Sequence, residues 1–147
     1  MTPKKFYIAT SLKRTQEHNI LRDALLAKNW KITYDWTLHG SVKNTSLTRL
    51  KEVGQKMTSG VLEADVIIVL LPGGKGTHTE LGMAIAQKKQ IIIHAPTGTP
   101  FALGDDTTAF YHHDNVIQLT CPLVEIADLL ASQQFIEPDA KILNSII

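Results

Sequence analysis

Apolar residues fall along this chain in two rhythms. Short, nearly unbroken runs occur at Phe6-Tyr7-Ile8-Ala9, Asp65-Val66-Ile67-Ile68-Val69-Leu70-Leu71, Gln90-Ile91-Ile92-Ile93-His94-Ala95 and Asn115-Val116-Ile117-Gln118-Leu119. Runs of that length without alternation are the pattern of strands buried on both faces, which belong to parallel sheets. Lys31-Ile32-Thr33-Tyr34-Asp35-Trp36 is rich in β-branched and aromatic residues and predicts one further strand. Between the runs the spacing changes to threes and fours. Ile20, Leu21, Ala24, Leu25 and Leu26 predict an amphipathic helix over 16–29. Leu47, Leu50, Val53, Met57, Val61 and Leu62 predict another over 47–63, weakened by Gly54 and Gly60. Leu81, Ala84 and Ile85 predict a short helix ending at Gln87-Lys88-Lys89, and 122–134 a last one before a tail of a dozen residues.

Strands that alternate with helices imply parallel pairing through right-handed crossovers. The expected fold is therefore α/β, a doubly wound five-stranded parallel sheet of the Rossmann or flavodoxin-like kind, with helices on both faces and residues 1–147 as one domain. Ligands of such sheets bind at the carboxyl ends of the strands, near the point where the chain switches faces. The loops to watch are then 10–15, 36–46, 72–79 and 96–113.

Composition narrows the partners. The chain has 147 residues, 44% of them hydrophobic and 20% charged, with a formal net charge of +1. That is the make-up of a globular domain without the basic field that a nucleic acid polymer attracts. The single cysteine, Cys121, excludes an internal disulfide and suits a reducing compartment. The opening run Phe6–Ala9 is too short for a signal-peptide core or a membrane span. The expectation is a cytoplasmic protein with no membrane partner.

Chemistry concentrates in Leu71-Pro72-Gly73-Gly74-Lys75-Gly76-Thr77, which follows a buried strand and opens a helix. The glycines Gly73, Gly74 and Gly76 let the backbone approach a ligand. The helix start adds free N–H groups and a positive dipole end, so the loop with Lys75 and Thr77 forms a cradle for an anion or a sugar phosphate. It is neither a phosphate loop ending in Gly-Lys-Ser/Thr nor a Gly-x-Gly-x-x-Gly turn. Glu80 follows in what reads as the first helical turn. Its carboxylate could attack an anomeric carbon or stabilise an oxocarbenium ion. It could equally close a capping box, with Thr77 as N-cap and Glu80 at N3. His78 is either a proton carrier or an exposed helix-start histidine. The one histidine cluster, His112-His113-Asp114, places adjacent side chains on opposite sides of the chain, so no metal site is expected. Nothing in the sequence calls for a cofactor.

Ala64-Asp65-Val66-Ile67-Ile68-Val69, followed by Gly76-Thr77-His78-Thr79-Glu80-Leu81-Gly82-Met83-Ala84, resembles the nucleoside 2-deoxyribosyltransferase superfamily. That group holds nucleoside deoxyribosyltransferases and N-glycosidases of nucleoside 5′-monophosphates. The resemblance covers about residues 5–95. It implies cleavage of an N-glycosidic bond with Glu80 as nucleophile. It also implies contact with the sugar or its phosphate from Ser11 and the neighbouring Lys13 and Arg14, and a homodimer or higher homo-oligomer in which a neighbouring subunit completes the site. The family's usual acid/base aspartate falls here on Met57. Asp35 and His78 are the candidates to supply the missing proton, and Tyr34 or Trp36, flanking Asp35, could stack on a base. Pro72-Gly73-Gly74-Lys75-Gly76-Thr77-His78-Thr79-Glu80 is also similar to the loop of the cytokinin-activating nucleoside-monophosphate phosphoribohydrolases, whose upstream arginine motif this chain lacks.

Two functions follow as expectations. One is an enzyme, an N-glycosidase or deoxyribosyltransferase acting on a small-molecule nucleoside or nucleotide. The other is a nucleotide sensor that kept the cradle and lost turnover, which Met57 favours.

Overall fold

Residues 4–132 are described in a computed structural model. Strand β1 (Lys5–Ala9) leads through a 3₁₀ turn at Leu12–Arg14 into helix α1 (Thr15–Ala27). Strand β2 (Lys31–Ile32) and a 3₁₀ turn at Trp36–Leu38 precede α2 (Leu47–Glu63). Strand β3 (Val66–Leu70), α3 (Lys75–Ala86) and β4 (Gln90–His94) follow. A loop with 3₁₀ turns at Thr99–Phe101 and Ala109–His112 then leads to β5 (Val116–Leu119) and α4 (Leu123–Ala131). The predicted end of the last helix beyond 132, and the tail, lie outside the described residues.

The five strands pair in the order β2-β1-β3-β4-β5, every pair parallel. This is the expected doubly wound sheet. Alternation along β1 divides the core. Phe6 and Ile8 join Leu21 and Leu25 of α1 and Ile126, Ala127 and Leu130 of α4 on one face. Tyr7 and Ala9 join Val61 of α2 and Leu81 and Ala84 of α3 on the other. The chain leaves β1 toward one face and β3 toward the opposite face. The switch point therefore lies between the carboxyl ends of these adjacent strands, flanked by residues 10–14 and 71–75.

The second strand is shorter than its composition predicts. Thr33 N–H donates to the Phe6 carbonyl (2.9 Å) and extends the ladder by one bond. Asp35 then caps the turn at Trp36–Leu38 by accepting the Thr37 N–H (3.0 Å). A capping aspartate ends the strand that Tyr34 and Trp36 alone would continue.

Helix α2 starts at Ser46, whose hydroxyl accepts the Arg49 N–H (3.0 Å). Its two glycines are in opposite situations. A Cβ at Gly54 would meet nothing within 4 Å, whereas one at Gly60 would lie 2.8 Å from Tyr34 Cβ and 3.0 Å from two carbons of the Tyr7 ring. Gly54→Ala is expected to stabilise the protein by about 0.5–1 kcal/mol through helix propensity alone. A urea midpoint that did not rise would show that this part of α2 gains nothing from helical order. No helix among the described residues is long and apolar enough to cross a membrane.

Candidate active site

Helix α3 opens three residues earlier than the sequence suggests, with its N-cap at Gly74 and not at Thr77, and this reassigns every residue of the Gly-rich loop. Gly74 is the N-cap, and its carbonyl accepts the first helical bond from His78 N–H (3.1 Å). Thr77 is therefore at N3, not N-cap. Its hydroxyl accepts the Gly74 N–H (3.2 Å). The N–H groups of Lys75, Gly76 and Thr77 precede the first helical bond and stand unpaired by the helix at its positive dipole end. Gly73 has to be glycine, because a Cβ there would lie 2.4 Å from Thr77 Cγ2 and 2.7 Å from Thr77 Cβ.

The shifted start puts Glu80 in the second turn, so the capping box from Thr77 to Glu80 does not exist. Thr77, Glu80, Leu81 and Ala84 form the buried stripe of α3. Glu80 thus occupies a core position facing the sheet and is only 5% exposed. Its Oε2 accepts a short hydrogen bond from the Tyr7 hydroxyl, across from β1, while Oε1 bonds to none of the described residues. Burial pushes the Glu80 carboxyl up to about 7, although the bond from Tyr7 acts in the opposite direction. The Tyr7 phenol is pushed far above its ordinary range, first by burial and then by the charge of Glu80. The pair is a single unit: one phenolic proton held on a carboxylate that is half ionised near neutral pH.

The other candidates are placed as follows. His78 lies two positions before Glu80, which is roughly 200° around the helix. Its Nδ1–H donates to the Gly74 carbonyl (2.8 Å), and its Nε2 faces the hydroxyl of Tyr111 (2.7 Å), a buried residue of the loop before β5. His78 therefore holds that loop to the α3 start and does not share a face with Glu80. Asp35 is bound by the Arg22 guanidinium (2.9 Å) as well as by Thr37. Burial would raise its pKa, but the bonds from Thr37 and Arg22 outweigh it and hold the carboxyl below its ordinary value. A carboxylate held charged in this way is a poor proton donor. Trp36 is 3% exposed, donates its indole N–H to the Ile8 carbonyl (2.9 Å) and stands edge-on to His18. It offers no free face for a base to stack on. Tyr34 is half-buried beside α2.

Ser11 caps the turn after β1 without a side-chain bond, and its carbonyl accepts the Arg14 N–H (2.9 Å). Lys13 is exposed. Arg14 is half-buried, and its Nε has no partner among the described residues. Ser11, Lys13, Arg14 and the α3 start thus flank the switch point from its two sides. Met57 packs with the cluster that holds Tyr7. His94 Nε2–H donates to the Cys121 carbonyl (2.6 Å). Among the described residues no group of three or more His, Cys, Asp and Glu side chains is gathered for a metal.

The chain shares its fold with a nucleotide N-glycosidase. The solved structure of Clostridium botulinum CMP N-glycosidase, BcmB, superposes with a TM-score of 0.57, covering 86% of this chain and 98% of that one at 19% identity. At that identity the likeness is one of fold. No protein-family model matches the chain, and no curated protein does.

Tyr7 is the site residue that the sequence reading passed over. It sits in a strand buried on both faces, where a phenolic hydroxyl requires a partner. Glu80 breaks the apolar stripe of α3. Two polar groups on facing core stripes were the available signal.

Proposed function

We propose that this chain cleaves the N-glycosidic bond of a nucleoside or nucleoside 5′-monophosphate, with Glu80 as the nucleophile or oxocarbenium stabiliser. The carrying observation is the Glu80–Tyr7 pair, a buried carboxylate with one oxygen held by a phenol and the other unbonded among the described residues, on the helix that the Gly-rich loop opens. The shared fold with a CMP N-glycosidase supports the reading.

In this mechanism Glu80 Oε1 forms the bond to C1′ as the bond from C1′ to the base nitrogen breaks. The electron pair leaves with the base. Tyr7 keeps its O–H on Oε2 throughout, which orients the carboxylate and lowers its basicity. Water or a second base then attacks C1′ and releases Glu80 as carboxylate, and the proton that the attacking group loses passes to the departed base anion, giving hydrolysis or transfer. The free N–H groups of Lys75, Gly76 and Thr77 with Lys13 and Arg14 supply the phosphate contacts. His78, Asp35 and Trp36, committed to Tyr111, to Arg22 and Thr37, and to Ile8, take no chemical role. The reading treats residues 1–147 as one such domain, assembled as a homo-oligomer in the cytoplasm.

The test is a chromatographic assay for free base over ribo- and deoxyribonucleosides, their 5′-monophosphates and NAD, with and without an acceptor base. Release from monophosphates alone makes the chain a nucleotide hydrolase, and exchange that needs the acceptor makes it a transferase. Tight calorimetric binding without release from any substrate overturns the proposal in favour of a sensor.

The pH profile is a second check. Attack needs the carboxylate, so kcat/KM should rise with pH through about 7 and then level off. Tyr7→Phe removes the bond that lowers the Glu80 pKa, so the rising limb should move to higher pH. A limb that stayed in place would exclude Tyr7 from control of Glu80.

A further inference from the structure

Helix α2 comes closest to the Tyr7 ring of β1 at Gly60, beside the packing of Val61, and that contact bears on the pair at the candidate site. The Gly60 Cα stands where a Cβ would come 3.0 Å from both Cδ2 and Cε2 of Tyr7 and 2.8 Å from Tyr34 Cβ. Contacts that short are not tolerated, so any side chain at 60 would lift α2 or turn the Tyr7 ring. The hydroxyl of Thr33, one residue past β2, donates to the Gly60 carbonyl (2.6 Å) and fixes the helix at this level. The Tyr7 ring is thereby clamped on one edge by the α2 backbone, while its hydroxyl is carried onto Glu80 of α3.

We propose that Gly60 is a positioning residue for the candidate site: having no side chain, it lets the α2 backbone hold the Tyr7 ring so that the phenol reaches Glu80. The assignment to a reaction rests on the N-glycosidase reading; the clamp on Tyr7 does not. Two helices from different crossovers then set the geometry of one carboxylate, α3 by carrying it and α2 by aiming its partner. Among the described groups Tyr7 is the one titratable neighbour that bears on Glu80, and Tyr34 bears in turn on Tyr7.

Gly60→Ala tests this against Gly54→Ala, which makes the same change on the same helix into open space. The readout is the Glu80 carboxyl pKa, followed by carbon NMR on protein with labelled glutamate side chains and assigned by its loss in Glu80→Gln. No substrate is needed. Gly60→Ala should raise that pKa by about one unit, as the Tyr7 bond lengthens, and Gly54→Ala should leave it unchanged. If the N-glycosidase reading holds, Gly60→Ala should also lower kcat/KM about fivefold at pH 7 and recover nearly all of it at pH 9. Should Gly60→Ala fail to fold, Thr33→Val, which removes the bond to the Gly60 carbonyl, should shift the pKa in the same direction by a smaller amount. A folded Gly60→Ala with an unchanged Glu80 pKa overturns the proposal, as does an unchanged value in Thr33→Val where that variant has to decide. A shifted pKa in a protein that releases no base keeps the clamp and removes the reaction.

Discussion

Glu80→Gln should abolish base release and at the same time stabilise the protein above neutral pH. The loss of activity follows from the chemistry, because an amide has no anionic oxygen to offer C1′. A drop in kcat of at least about a thousandfold is expected for a removed nucleophile, with KM changed little. The gain in stability follows from burial. The Glu80 carboxyl titrates at about 7 in the folded protein against an ordinary value of 4.5. Between these values the folded state binds more protons than the unfolded chain, so stability falls as pH rises through this window and levels off above 7. The full cost is roughly 3 kcal/mol. Glutamine cannot ionise, and its carbonyl can still accept the Tyr7 hydroxyl. Urea unfolding of both proteins from pH 5 to 8 should therefore show the difference growing in favour of the variant as pH rises. A difference independent of pH would mean that Glu80 is not a buried titrating group, and full retained activity would remove it from the mechanism.

Gly73→Ala should cost about 3 kcal/mol, a large effect for a single methyl group. The new Cβ would fall 2.4 Å from Thr77 Cγ2 and 2.7 Å from Thr77 Cβ. A Thr Cβ is fixed to the backbone, so rotating the side chain relieves only part of the clash. The helix start itself must move, with overpacking of about 1–3 kcal/mol and the bond from Gly74 N–H to the Thr77 hydroxyl, worth about 1 kcal/mol, placed at risk. Adding Thr77→Ser deletes Cγ2 and should recover a part of the loss but not all of it. Equilibrium unfolding of the single and double variants decides. A Gly73→Ala protein as stable as the parent would show that the loop is free to shift and that the cradle has no rigid frame.

Much of the fold was legible in the chain because burial on both faces leaves an unmistakable mark. Val66–Leu70 and Ile91-Ile92-Ile93 can be apolar at consecutive positions only if helices cover each side of the sheet, and the intervening helices force parallel pairing. Local chemistry that overrides propensity was less legible. Asp35 ends β2 by capping the following turn, and Gly74 rather than Thr77 caps α3, since backbone conformation at a loop is not written in periodicity.

The candidate site divides along the same line. The sequence by itself determined that a Gly-rich loop and a glutamate stand at the end of a central strand, because both belong to one short segment whose spacing a helix preserves. Only the tertiary structure decided which groups meet there. Tyr7 reaches Glu80 across 73 positions. Arg22 claims Asp35, Tyr111 claims His78, and the Ile8 carbonyl claims Trp36. Hydrogen-bond partners and desolvation are set by elements distant in the chain, and those two effects decide which carboxyl stays charged and which sits ready to ionise near neutral pH.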